Sequence, residues 1–194
     1  TGESNAISGN GTEGYGNTII TVGETAKITA TGNDSFAFYL PQAGSVTING
    51  GTFEATSVIG IKAGDLTING GNFKATGEKV SPEGWNNGIH ATGDVIIIEE
   101  NEGYADNIEI IVTEDATLTS TNGYPIQEHL YSGTNRAKVY GKYSAINKVA
   151  TGYYYTETEK AQAEISGVVY GTLESAVSQV NNGGTVTLIQ NANG

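Results

Sequence analysis

The sequence predicts an all-β fold in which the chain winds into a solenoid of stacked parallel strands. The composition has no methionine or cysteine but 28 glycines and 11 tyrosines in 194 residues, which favours strands and tight turns over helices. A motif also recurs after twenty residues, as SVTINGGTFEAT at 45–56 and DLTINGGNFKAT at 65–76. Repeats of this length are typical of solenoids, because each coil buries its apolar face only by stacking on its neighbours.

Each copy of the motif has the pattern of a strand, a corner and a second strand. In the first copy, Val46 and Ile48 alternate with polar residues before the corner, and Phe53 and Ala55 do so after it. The corner Asn49–Gly51 tolerates positive φ, so the chain can turn sharply there while both strands face one interior. Three pairs are expected to stack between the copies: Asn49 with Asn69, Phe53 with Phe73, and Glu54 with Lys74.

Weaker copies extend this register in both directions. Thr25–Thr31 lies twenty residues before the first copy, and Asp94–Ile98 lies twenty-nine residues after the second. The nine extra residues map to Gly77–Asn87, a segment whose Pro, Gly and Asn content predicts an excursion out of the coil. Further coils are predicted over 108–112, 116–120 and 137–145, which gives a β-helix domain at 1–160 with five to seven coils.

The segment 161–194 is predicted to be either a cap on this domain or the start of a following β-helix module. It holds apolar residues at helical spacing, with Thr172 as a possible N-cap and Asn182–Gly184 as a stop. Those apolar residues are Leu173, Ala176, Val177 and Val180. Thr185–Ile189 then has the alternation of a strand, so we expect a short C-terminal helix plus strand.

The repeats TINGGTF and TINGGNF resemble those of right-handed, single-stranded parallel β-helix domains of the pectin-lyase-like kind, most clearly over 25–76. The segment 137–155 is similar to the closing coil of such a domain, and 163–177 is similar to the segment that opens the next one. Domains of this kind are found in bacterial cell-surface and secreted proteins, so the resemblance implies an extracellular or cell-surface location. For the enzymes of the family it implies either Ca²⁺ held by carboxylates with a basic residue, or a tight group of aspartates.

The charge balance limits the classes of partner. The chain carries 21 acidic and nine basic residues, a net charge of −12, which disfavours nucleic acid and anionic membranes. No apolar run approaches the roughly 20 residues that span a bilayer. The lack of cysteine excludes disulfides and thiolate metal sites. Because the chain begins at Thr1 without a leader, we expect it to be part of a longer chain.

Side chains suited to catalysis are few and scattered. Arg136, the single arginine, lies in a turn-like stretch with no acidic residue nearby in sequence. No two aspartates form an Asp-Asp or Asp-x-Asp pair. His90 and His129 are separated by two predicted coils, a spacing that does not support a two-histidine metal site.

Asp65 and Asp94 are the candidate metal ligands. Each precedes a predicted strand, so in stacked coils they would hold equivalent positions about 4.8 Å apart. Two carboxylates at that distance repel each other unless a cation or hydrogen-bond donors intervene. Turn capping by each aspartate and Ca²⁺ coordination by both are the two interpretations, and no other cofactor is predicted.

The candidate carbohydrate-binding residues lie around Trp85, the single tryptophan, in the excursion. Asn86, Asn87 and Tyr104 are the other members of this group, since sugars need an exposed aromatic face and nearby hydrogen-bonding groups. The alternative is that Trp85 folds back to cover a coil edge. The run Tyr153–Tyr155 is predicted to pack at the end of the domain rather than to bind a ligand.

These observations predict a non-catalytic, adhesin-like surface β-helix that binds or is displayed toward glycans of the cell exterior. The alternative is a polysaccharide lyase or glycoside hydrolase of the pectin-lyase-like superfamily. An aromatic platform would favour glycan binding, whereas a groove that holds Arg136 beside two carboxylates would favour the enzyme.

Overall fold

The computed structural model describes residues 4–9, 18–41, 43–80, 89–100, 108–130 and 136–191. The strands in chain order are β1 (Ile7–Ser8), β2 (Thr18–Val22), β3 (Lys27–Thr29), β4 (Phe36–Leu40), β5 (Ala43–Ile48), β6 (Thr52–Ala55), β7 (Ser57–Ile61), β8 (Asp65–Ile68), β9 (Gly71–Ala75) and β10 (Ile96–Glu100). They continue as β11 (Glu109–Val112), β12 (Ala116–Ser120), β13 (Ile126–Leu130), β14 (Lys138–Gly141), β15 (Ala145–Val149), β16 (Gly152–Thr156), β17 (Ala163–Ile165), β18 (Val168–Tyr170) and β19 (Thr187–Leu188). The helices are a 3₁₀ turn at Thr158–Lys160 and α1 (Leu173–Gln179).

The chain is an all-β parallel β-helix. Sheet 1 has the strand order β1-β4-β7-β10-β13-β16-β15-β18-β17-β19, sheet 2 has β14-β11-β8-β5-β2, and sheet 3 has β12-β9-β6-β3. The coils β2–β4, β5–β7, β8–β10 and β11–β13 each place one strand in every sheet, and neighbouring coils pair in parallel. The predicted fold class is therefore confirmed.

The stacking predicted from the repeat is present. Phe53 pairs with Phe73, and their buried rings stack with centroids 4.7 Å apart. The side-chain amide of Asn69 donates a hydrogen bond of 2.9 Å to Asn49 Oδ1. These contacts fix the register of β5 and β6 on β8 and β9, because matching side chains interact only when the coils align.

The two weaker copies of the motif lie in a different register from the predicted one. Ile28 pairs with Phe53, so the strand within Thr25–Thr31 stacks on the second strand of the motif rather than on the first. Ile96 pairs with Ile59 in sheet 1, so Asp94–Ile98 does not stack on the strand of Asp65. The prediction was wrong here because it placed the weaker copies by spacing alone. The sheet 1 strands β4, β7 and β10 contain apolar runs, whereas β6 and β8 alternate between apolar and polar residues, so Asp94–Ile98 matches sheet 1 rather than the motif.

The segment that follows the excursion lies on the outer face of sheet 1. There Ile89 and Ala91 pack against Phe36 and Ile97 in a small apolar cluster separate from the main core. The main core fills the space between the three sheets. The outer face of sheet 1 is therefore partly covered, and its polar residues can be buried as well.

The C-terminal end of the solenoid breaks the parallel pattern. β13 pairs with β16 in an antiparallel manner, and β15, β18, β17 and β19 follow in the same sheet. The predicted helix is present as α1, capped by the Thr172 hydroxyl, which accepts from Ser175 N–H at 3.1 Å. Residues 163–188 thus continue sheet 1, and the division at residue 160 stays a prediction.

No helix in the described part of the chain is long and apolar enough to cross a bilayer.

Candidate functional site

The sequence-predicted carbohydrate site falls outside the part of the chain that the structure describes. Trp85, Asn86 and Asn87 lie within 81–88, and Tyr104 lies within 101–107. These four residues therefore remain a prediction.

The two candidate metal ligands have different surroundings. Asp65 is exposed at the start of β8 and pairs with Ser45 and Glu109 in sheet 2. Asp94 is fully buried just before β10, and its carboxylate accepts hydrogen bonds from Lys79 Nζ at 2.6 Å and from Tyr124 N–H at 2.6 Å. Their predicted equivalence was wrong because Asp94 precedes a strand of sheet 1. Among the described residues, no group of three or more acidic or histidine side chains is placed to hold a metal ion.

Asp94 instead supports a pair of stacked tyrosines. Tyr124 and Tyr154 have ring centroids 3.9 Å apart and are inclined by 12°. The Lys79 ammonium group lies 4.5 Å from the centroid of the Tyr124 ring, in cation–π contact, while it is ion-paired to Asp94. Burial lowers the pKa of Lys79, and Asp94 opposes this effect. The backbone and the ring of Tyr124 are therefore both fixed by the buried carboxylate.

Tyr124 and Tyr154 line a cavity of about 470 Å³, which we call the tyrosine cavity. Its other polar lining residues are Asn147, Lys148, Thr172, Glu174, Ser175 and Ser178. Tyr154 belongs to β16, where it pairs with Gln127 on one side and Asn147 on the other. Burial, followed by Tyr124 and Glu174, raises the pKa of Tyr154, so its phenol keeps its proton and can donate a hydrogen bond.

A second polar group, the charge row, consists of Lys62, Glu99 and His129. Glu99 pairs with His129 across β10 and β13, and Lys62 Nζ lies 2.9 Å from Glu99 Oε1. All three residues are buried. Burial raises the pKa of Glu99, although Lys62 opposes this effect, and burial together with Lys62 lowers the pKa of His129. The row thus holds an imidazole that favours its neutral form beside a carboxyl that keeps its proton to higher pH.

Arg136 is exposed, and its guanidinium lies 5.6 Å from the centroid of the Tyr153 ring. The carboxylate whose pKa it influences is that of Glu128, which is fully buried and accepts from the Tyr155 hydroxyl at 2.6 Å. Burial raises the pKa of Glu128 to about 7, while Tyr155, Ala137 N–H and Arg136 lower it. Within the described residues, this is one carboxylate near Arg136 rather than the two that the enzyme hypothesis required.

Sequence reasoning missed the tyrosine cavity and the charge row. Tyr124 and Tyr154 meet because β16 reverses direction against β13, and no local pattern signals that reversal. Glu99 and His129 are thirty residues apart, the same offset as Ile96 and Ile126 in the same strands. That offset was a usable signal, but only once both strands had been placed in sheet 1.

Comparisons of this chain with protein-family models, with curated proteins and with solved structures gave no match.

Proposed function

We propose that this chain is a non-catalytic β-helix that binds carbohydrate in the tyrosine cavity. The observation that carries the proposal is the lining of this cavity, which combines two tyrosines with hydroxyl, amide and charged groups. The volume of about 470 Å³ lies within the usual range for small-ligand sites and suits one or two sugar rings.

The chemistry of the lining fits a sugar better than it fits an apolar ligand. A sugar ring presents C–H groups that pack on an aromatic surface and hydroxyls that need both donors and acceptors. Lys148 supplies donors and Glu174 supplies acceptors. The Thr172 hydroxyl, which accepts from Ser175 N–H, can donate its proton, and the Ser178 hydroxyl, which donates to Ser175 O, can accept. Because Asp94 and Lys79 fix Tyr124, the site is organised before a ligand arrives, which lowers the entropic cost of binding.

The test is a glycan array followed by calorimetric titration of the glycans that bind. We expect Tyr154→Ala to weaken binding at least tenfold, equivalent to about 1.4 kcal/mol. Tyr140→Ala is the matched control, because Tyr140 is an exposed tyrosine on β14 outside the cavity. Circular dichroism of each variant checks that the fold is retained.

Two outcomes would contradict this proposal. If the wild-type chain binds no glycan, the function is wrong. If binding survives Tyr154→Ala but is lost in Trp85→Ala, the chain binds glycans at the residues predicted from sequence, and the tyrosine cavity is the wrong site.

We also propose that the chain belongs with the pectin-lyase-like β-helices of secreted or cell-surface proteins, and that its glycan partners lie outside the cell. The support is the stacked parallel coils, the TINGG corners and the absence of cysteine. Detection of the intact protein on unpermeabilised cells or in culture medium tests the location, and its confinement to the cytosol would refute it.

The charge row favours a second candidate function, a polysaccharide lyase or glycoside hydrolase. Glu99 and His129 are neighbours across β10 and β13, and a carboxyl and an imidazole are the side chains that most often transfer protons in acid–base catalysis. We would expect any turnover of a polysaccharide panel to fall at least a hundredfold in Glu99→Gln and to be unchanged in Glu54→Gln, whose parent side chain is half-exposed. Absence of turnover by the wild-type chain on every polysaccharide would remove this candidate.

A further inference from the structure

Sheet 2 ends in an open strand edge. Among the described strands, β14 pairs only with β11, whereas sheet 1 continues for five strands beyond β13. Lys138 N–H donates to Ile108 O at 2.9 Å, and Lys142 N–H donates to Val112 O at 2.8 Å. In a parallel ladder, alternate residues turn both backbone groups to the same side. The N–H and C=O of Val139 therefore point away from β11, toward the open edge.

A groove of about 500 Å³ runs along this edge. One wall is β14, and the other is formed by the inner face of β15 and the β17–β18 hairpin, through Ile146, Val168 and Val169. Val168 is 36% exposed in this wall, so the groove offers apolar surface to solvent. At Val139 it therefore presents the outward backbone groups and the apolar floor that an added strand requires, whereas the Gly141 carbonyl at the end of β14 already accepts from the hydroxyls of Ser144 and Thr158.

The neighbouring coils indicate which side chains such a strand would carry. Glu109 lies beside the acidic Asp65 on one side and beside Lys138 on the other, so opposite charges meet in this column where β11 pairs with β14. Val139 continues the buried column of Leu66 and Ile110. The next strand in the column would place an acidic residue beside Lys138 and an apolar residue beside Val139. Arg136 also lines the groove, and none of its lining residues is acidic.

We propose that the β14 groove binds an extended acidic segment of a partner protein, which adds to sheet 2 as a parallel strand. The segment has the pattern acidic, apolar, polar, apolar, as Asp65–Ile68 has within this chain. Its backbone pairs with Val139, its first side chain meets Lys138, and its apolar side chains cover Val168 and Ile146. The partner is a different polypeptide, because the basic groove selects an acidic strand and the described strands of this chain that begin with an acidic residue, β8 and β11, are already paired on both sides.

The probe is the synthetic peptide DLTING, which copies residues 65–70, and the readout is amide hydrogen exchange by NMR. At saturation the exchange of Val139 N–H slows at least tenfold, because it gains a hydrogen bond. The amide of Lys138 is the internal control and keeps its exchange rate, since it is already bonded to Ile108. This measurement uses the wild-type chain, so it does not depend on whether a variant folds.

Charge reversal tests the specificity. In Lys138→Glu the affinity for DLTING falls about fivefold, and a peptide with lysine as its first residue binds better than DLTING does. Lys27→Glu is the matched control, because Lys27 is an exposed lysine that begins an edge strand of sheet 3. The proposal is overturned if the amide exchange of Val139 in the wild-type chain does not respond to saturating DLTING. It is overturned too if Lys138→Glu binds DLTING and the lysine peptide equally. It is also overturned if light scattering shows dimers in which Val139 N–H is already protected, since a second copy would then occupy the groove.

Discussion

Replacing Glu128 by Gln should make the fold more stable at neutral and alkaline pH. Glu128 is fully buried, and its folded-state pKa of about 7 lies above the ordinary value of 4.5. The folded chain therefore holds a proton that the unfolded chain releases between about pH 4.5 and pH 7. Because the folded state binds more protons in that window, the free energy of unfolding falls as pH rises through it and is level above it.

The size of the effect follows from the two pKa values. Their difference corresponds to about 3 kcal/mol, since one pKa unit is about 1.4 kcal/mol. In Glu128→Gln the amide oxygen still accepts from Ala137 N–H, and the side chain carries no charge at any pH. We therefore compare the free energies of unfolding of the variant and the wild-type chain at each pH. The difference, variant minus wild type, should be about 3 kcal/mol larger at pH 8 than at pH 4.

The assay is urea denaturation of both proteins at unit steps between pH 4 and pH 8, followed by circular dichroism. Subtracting the two curves isolates Glu128 from Glu99 and His129, whose pKa values are also shifted. Glu114→Gln, at an exposed glutamate, is the control for the substitution of glutamate by glutamine. A difference between Glu128→Gln and wild type that is constant over this pH range would refute the reasoning.

Three further substitutions test the scaffold by their effect on the urea midpoint. Phe73→Ala should cost about 3–5 kcal/mol, since it empties a buried site and removes the stack on Phe53, whereas a cost below ~1 kcal/mol would contradict the stack. Gly71→Ala should cost about 1–3 kcal/mol, because φ is 106° and the new Cβ would lie 2.9 Å from Gly51 O, while Gly23→Ala meets no atom and should cost less. Thr172→Ala should cost about 1 kcal/mol and speed amide exchange at Ser175, and equal exchange in both proteins would mean that the cap is not formed in solution.

The sequence was sufficient to predict the strands and their stacking where the repeat was strongest. Phe53, Phe73 and the Asn49–Asn69 ladder followed from the twenty-residue spacing, because a solenoid aligns equivalent residues. The spacing stopped being informative where the coil length changed. Phe73 is followed in its column by Leu118, forty-five residues later, so the assignment of Asp94–Ile98 by local pattern alone failed.

The candidate site was harder to predict because its residues come together through long-range topology. Tyr124 and Tyr154 meet through the antiparallel pairing of β13 with β16, which terminates the parallel pattern. Tyr155 does pack in the core, as predicted for Tyr153–Tyr155, but the alternation of a strand turns Tyr154 to the other face. A run of like residues in a strand therefore divides between core and surface, and composition alone does not separate the two.

The unequal coil lengths suggest how this architecture could acquire new specificity. Successive residues of one column in sheet 3 are twenty residues apart from Phe53 to Phe73 and forty-five apart from Phe73 to Leu118, yet the pairing continues in register. Extra residues are accommodated between strands, outside the ladder of backbone hydrogen bonds. Mutation could thus lengthen, shorten or exchange an excursion while the neighbouring coils keep their contacts, so the surface can diversify faster than the framework that carries it.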